Sequence, residues 1–223
     1  MNRCHIAVSG LLALASSSLP ALAGTVVIGD FEGSDPGTWG YWNNGLQTPL
    51  GDDPGLEFSS EDATTGSMSV KASNMGYDQN LAYAADFATR EAFLNNSILR
   101  FDVIFPETDS DGFWEVFELV INSNAGFNNV TGNMTSSEGG TNQVGWAPGG
   151  SGRRVITFSV DYSDQVALWN GAVPNYLELV FSLNNDSVHN VAYIDNVRLV
   201  PAPGALALGG LAMGGIAARR RRR

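Results

Sequence analysis

Residues 98–105 read Ile-Leu-Arg-Phe-Asp-Val-Ile-Phe and stop at Pro106. Apolar and polar side chains nearly alternate, and most are β-branched or aromatic, so a strand with one face on a core accommodates them and an amphipathic helix does not. Related patterns occur at Thr25–Ile28, Ser67–Lys71, Trp114–Ile121, Arg154–Val160, Tyr176–Leu183 and Val191–Val200, separated by polar segments rich in Gly, Asn and Asp. Eight or so strands of this kind predict an all-β fold, an antiparallel β-sandwich. One short helix is expected within residues 80–94, where Ala, Leu, Phe and Arg dominate and neither Gly nor Pro interrupts. Residues 122–152 are dense in Asn, Gly and Ser around Phe127 and Trp146 and read as a long loop.

The two ends follow other rules. Arg3 precedes an apolar run from Ile6 to Leu14, then serines, Pro20 and Ala21-Leu22-Ala23. That order is a secretory signal peptide, residues 1–23, with cleavage expected after Ala23. Cys4 leaves with it, so the exported domain, residues 24–200, has no cysteine and depends on core packing and any ion it binds. Its length suits one domain. Lys71, Arg90, Arg100, Arg153, Arg154 and Arg198 are its only basic residues; six positive charges against 23 negative ones leave about −17. Such a surface repels nucleic acid, anionic headgroups and acidic glycans, leaving neutral polymers and divalent cations.

After Pro201-Ala202-Pro203-Gly204 the chain is uncharged from Ala205 to Ala218 and ends in Arg219 to Arg223. An apolar segment followed by arginines is a stop-transfer pattern, with the basic end held in the cytoplasm. Fourteen helical residues span about 21 Å against a hydrocarbon core of about 30 Å, which suits a transient membrane anchor. These residues resemble a PEP-CTERM sorting signal over 201–223, with Ala202 where the most familiar form has glutamate. The resemblance implies a C-terminal transmembrane helix, Pro201 and Pro203 as the sorting motif, and the membrane protease exosortase as a partner during export. The domain would then be delivered to the cell surface or beyond it.

A second resemblance spans most of residues 25–200 and rests on three segments: Gly29-Asp30-Phe31-Glu32-Gly33 with Trp39, Tyr41 and Trp42 after it; Ala63 to Val70; and Tyr193-Ile194-Asp195-Asn196-Val197-Arg198-Leu199. These resemble the jelly-roll carbohydrate-binding modules of the galactose-binding-like superfamily. The resemblance implies that the first and last strands lie together. It also implies a structural calcium ion held by Glu32 and Asp195, with Asp30 as helper and carbonyls of residues 66–69 completing the shell; the oxygen chemistry suits calcium.

A glycan platform needs exposed aromatic rings beside amides and carboxylates, because sugar rings present apolar faces. Trp146, flanked by Gly145 and Ala147-Pro148-Gly149, ranks first, followed by Trp42 and Trp169; Trp114 and Tyr176 sit in strand patterns and are assigned to the core. Catalysis is disfavoured: the exported part has one histidine, His189, no cysteine, and no Gly-x-Ser-x-Gly, His-Glu-x-x-His or phosphate-cradling motif. The expected function is a non-catalytic surface or matrix protein that binds a neutral polysaccharide. The alternatives are a structural biofilm or envelope component without a sugar site, and a divergent glycan-processing enzyme.

Overall fold

The computed structural model describes residues 24–43, 46–50, 55–73, 79–106, 116–137, 153–184 and 191–202. In chain order the elements are β1 (Val26–Gly29), β2 (Thr38–Asn43), β3 (Leu46–Pro49), β4 (Leu56–Ser59), β5 (Ser69–Ser73), β6 (Gln79–Ala84), α1 (Phe87–Asn95), β7 (Ile98–Phe105), β8 (Val116–Ser123), β9 (Gly126–Asn129), β10 (Met134–Ser136), β11 (Arg154–Asp161), α2 (Ser163–Leu168), β12 (Leu177–Asn184) and β13 (Val191–Val200). They build two antiparallel sheets. One runs β10-β11-β7-β13-β5-β4 with β1 also on β13; the other runs β3-β2-β6-β12-β8-β9.

The alternation in β7 does what its sequence requires. Leu99, Phe101, Val103 and Phe105 enter the core, facing Leu81 and Tyr83 of β6, Leu119 and Ile121 of β8, and Leu177, Leu179 and Phe181 of β12 from the other sheet. Aromatic rings tie the layers together: Phe101 meets Phe181 edge-on at 5.0 Å, and Trp39 lies 4.8 Å from Tyr83 and 5.0 Å from Phe31. Trp39 also donates its indole N–H to the Ile28 carbonyl at 3.0 Å, so β2 of one sheet is fastened to β1 of the other.

Strand β13 is the axis of its sheet. Along one edge it pairs with β7; along the other it pairs first with β5, through Val191 to Ile194, and then with β1, through Val197 to Leu199. Between these partners the register with β7 shifts, from Asp195 to Arg198, and Asn196 takes a left-handed backbone at φ 53°. The extra residue lets Ile194 and Val197, three apart, both enter the core. The first and last strands therefore do lie together.

Two expectations are refined, and one element is new. The short helix expected within 80–94 forms as α1 but starts late: Gln79–Ala84 is a strand whose Leu81 and Tyr83 fill the core, and α1 begins after Asp86, whose carboxylate accepts the Thr89 N–H at 2.8 Å as an N-cap. Composition favours a helix in the first half of that stretch, yet its Leu-Ala-Tyr-Ala alternation obeys the strand period. Within the expected loop of 122–152, β9, a single 3-10 turn at Thr131–Asn133 and β10 are formed. The short helix α2 has no counterpart in the sequence pattern. Both helices connect one sheet to the other, α1 between β6 and β7 and α2 between β11 and β12.

Pro201 is buried just beyond β13. Ala23, Pro203, the apolar segment and the terminal arginines lie outside the described residues, and among the described residues no helix is long and apolar enough to cross a membrane.

Candidate functional site

Directly opposed residues in an antiparallel sheet point to the same face, so the strand registers define the outer face of the six-stranded sheet row by row. One row is Thr38, Ala84, Glu178, Asn122 and Phe127, from β2 to β9. The next is Gly40, Ala82, Val180, Val120 and Asn129. A third contains Asn80, Ser182 and Glu118, and alternation along β2 places Trp42 at its β2 end. Up to Asn129 at its β9 end, the middle row is made of small apolar residues, and it is a floor. Ala82, Val120 and Val180 are buried, yet they belong to the face turned away from the core.

The walls of this face close over it. Trp42 and Phe127 sit on strands four spacings apart, about 19 Å across a flat sheet at ~4.8 Å per spacing. Their ring centroids are nevertheless 5.8 Å apart, with planes inclined by 32°. Two long side chains cover that gap only when the sheet curls toward them, so the outer face is a trough with small residues beneath and an aromatic pair across it. Phe127 remains 54% exposed, while the Trp42 indole Nε1 is buried and has no hydrogen-bond partner among the described residues. Polar side chains lie along the same face: the Asn122 amide donates to Glu178 at 2.8 Å, Asn129 ends the middle row, and Asn80, Ser182 and Glu118 line the third.

The carboxylates assigned to calcium lie at the other sheet. Asp195, with 0% exposure, points out of the β13 bulge and accepts the N–H groups of Thr64 (2.6 Å), Thr65 (2.8 Å) and Asn196 (2.6 Å), with the Thr64 hydroxyl at 2.8 Å. Asp102 is directly opposite on β7 and also buried; it accepts from the Thr157 hydroxyl at 2.6 Å and the Asn196 amide at 2.8 Å. Glu32, beyond β1, accepts the N–H groups of Ser67 (2.5 Å) and Met68 (2.7 Å), which hold it below the ordinary carboxylate range. Gly66, at φ +62°, lies so close to the Glu32 carboxylate that a Cβ there would collide with it.

Glu32 and Asp195 thus share the 64–68 turn, which fills the gap on β13 between β5 and β1. Asp30 serves a different purpose, accepting the Glu32 N–H at 3.1 Å. Hydrogens meet the Glu32 and Asp195 carboxylates, and among the described residues no three carboxylate, thiol or imidazole groups converge on a metal position. This donor set seats both carboxylates on hydrogen-bond donors.

Of the aromatic platform residues, Trp42 is on the trough. Trp169 is not: at 4% exposure it is packed in the core, its Nε1 donating to the Ser123 hydroxyl at 3.2 Å, because it follows the short α2 that turns it inward. Trp146 lies outside the described residues, as do Trp114 and His189. Tyr176, assigned to the core, is 47% exposed and hydrogen-bonds the Ser123 carbonyl. Phe127, Asn122 and Glu178 join the site without a sequence signal of their own; the Asn-rich composition around Phe127 hides a strand edge.

Two antiparallel sheets, helical crossovers and a closing strand beside the opening one define a jelly-roll β-sandwich. No family model and no curated protein matches the chain. Among solved structures it is similar to the carbohydrate-binding module CBM28, described as specific for non-crystalline cellulose, at 15% identity and a TM-score of 0.52 over 78% of this chain and 93% of that one. It is also similar to CBM27-1 of Caldicellulosiruptor saccharolyticus, solved with mannohexaose, at 17% identity and a TM-score of 0.48 over 80% and 98%. A third neighbour is the C-terminal family 22 carbohydrate-binding module of Clostridium thermocellum Xyn10B, at 15% identity and a TM-score of 0.45 over 82% and 98%. At these identities the likeness is one of fold.

Proposed function

We propose that this is a non-catalytic, exported surface or matrix protein whose domain binds a neutral polysaccharide chain in the trough of the six-stranded sheet. The observation that carries the reading is the aromatic pair across the trough. Trp42 supplies an apolar face for a sugar ring with Phe127 set against it, Gly40, Ala82, Val120 and Val180 form the floor between them, and Glu178 and Asn122 offer hydrogen-bonding groups for hydroxyls. The strong excess of acidic residues favours an uncharged ligand over an acidic one. The fold shared with a cellulose-specific module supports the same reading. Export by a cleaved leader and an exosortase-processed tail accords with a ligand outside the cell.

The test is retention of the purified 24–200 domain on insoluble neutral polysaccharides, compared with Trp42→Ala. The variant is expected to lose retention while melting like the parent. Equal retention by both proteins would remove the trough as the binding site.

A further inference from the structure

The trough is closed by its own binding residues. Trp42 and Phe127 each use a ring face on the other, with centroids 5.8 Å apart. A pyranose ring needs that same face, so sugar and partner ring cannot both occupy it. The Trp42 Nε1–H is meanwhile buried without an acceptor among the described residues, an unfavourable state for an indole, which has only that one donor. The two walls are built differently. Trp42 is on β2, hydrogen-bonded on both sides to β3 and β6, whereas Phe127 is on the four-residue edge strand β9, held by β8 alone and entered through Gly126 at φ +116°.

We propose that Trp42 and Phe127 form an aromatic clasp, an intramolecular competitor that a neutral glycan chain must part to enter the trough, with Trp42 Nε1 donating to a sugar oxygen once the pair has opened. The proposal rests on the trough being the glycan site and adds how that site is gated. Phe127 is the jaw that yields; Trp42 is the residue that stays and binds. Phe127 therefore limits the rate of entry, and Trp42 determines whether the chain is held. A slender unbranched chain fits a trough closed from both walls, and a flat crystalline face does not reach its floor.

The experiment follows association of hexasaccharides of β-1,4-linked glucose, mannose and xylose by stopped-flow tryptophan fluorescence, using the parent domain, Phe127→Ala and Trp42→Ala. Phe127 is outside the core, so its removal leaves the fold, checked by the melting curve. The clasp predicts that Phe127→Ala associates about two- to tenfold faster than the parent, the effect of deleting one aromatic pair, and that Trp42→Ala does not bind. Binding by Phe127→Ala but not by the parent supports the clasp more strongly still. Equal or slower association by Phe127→Ala overturns the clasp and leaves the site standing. Failure of both proteins to bind any of the three sugars overturns the site and the clasp with it.

Discussion

Thr64 gives Asp195 both its backbone N–H, at 2.6 Å, and its hydroxyl, at 2.8 Å, across 131 positions of sequence. The bond from Thr65 and the Glu32 bonds to Ser67 and Met68 extend the same seat. One turn thereby holds the β13 bulge and the end of β1 at once. Asp195→Ala leaves the N–H groups of Thr64, Thr65 and Asn196 without their acceptor, and a loss of roughly 3–5 kcal/mol in unfolding free energy is expected. Urea denaturation measures it; a change below about 1 kcal/mol would show that water replaces the carboxylate without cost.

Because hydrogens meet these carboxylates, the melting temperature of the 24–200 domain is expected to be the same in EDTA and in millimolar calcium. An ion bound only by the folded state would raise it with concentration. A calcium-dependent rise that disappears in Asp195→Ala would return the site to a metal.

Acid stability should carry two opposed contributions. Burial pushes the Asp35 carboxyl up to about 6, although it accepts the N–H of Asp30 at 2.9 Å. A proton held more tightly in the folded state stabilises it below the ordinary value of 3.8, and that contribution is lost as pH rises through about 6. Glu32 acts the other way: hydrogen bonds from Ser67 and Met68 lower it from 4.5, so its contribution is present above that value and is lost as pH falls. Asp35→Asn should therefore gain on the parent between pH 4 and pH 7. Unfolding free energies at the two pH values decide it, and a constant difference would exclude Asp35 as the source.

The two tryptophans separate binding from stability. Trp169→Ala removes a core ring and its bond to Ser123, and is expected to cost about 3–5 kcal/mol. Trp42→Ala, outside the core cluster, should cost less than about 1 kcal/mol while abolishing retention on polysaccharide. Melting curves and retention assays on both proteins check this; reversed outcomes would place the ligand near α2.

The strands are legible where a period of two runs long enough to choose a face, as in β7, β11, β12 and β13. The helix is expected too early because Leu81 and Tyr83 sit among helix-favouring alanines, and only the partner strands β2 and β12 show which period wins. Trp42 can be named from sequence as an aromatic near a strand end. Phe127 cannot, because its role depends on the curvature of a sheet in which three strands separate it from Trp42. Trp169 looks as exposed as Trp42 in sequence, since the inward turn after α2 has no signature of its own. The resemblance brings Glu32 and Asp195 to one place, but not the direction of the amides between them.

Val26 faces Leu199, so the chain enters and leaves the domain as neighbours, on the sheet opposite the trough. A force applied through the C-terminal side pulls along β13, which is hydrogen-bonded on both edges, to β7 and to β5 and β1. Those bonds lie across the strand and are loaded together in shear instead of being peeled one at a time. The central position of β13 makes it a mechanically resistant point of exit from the domain.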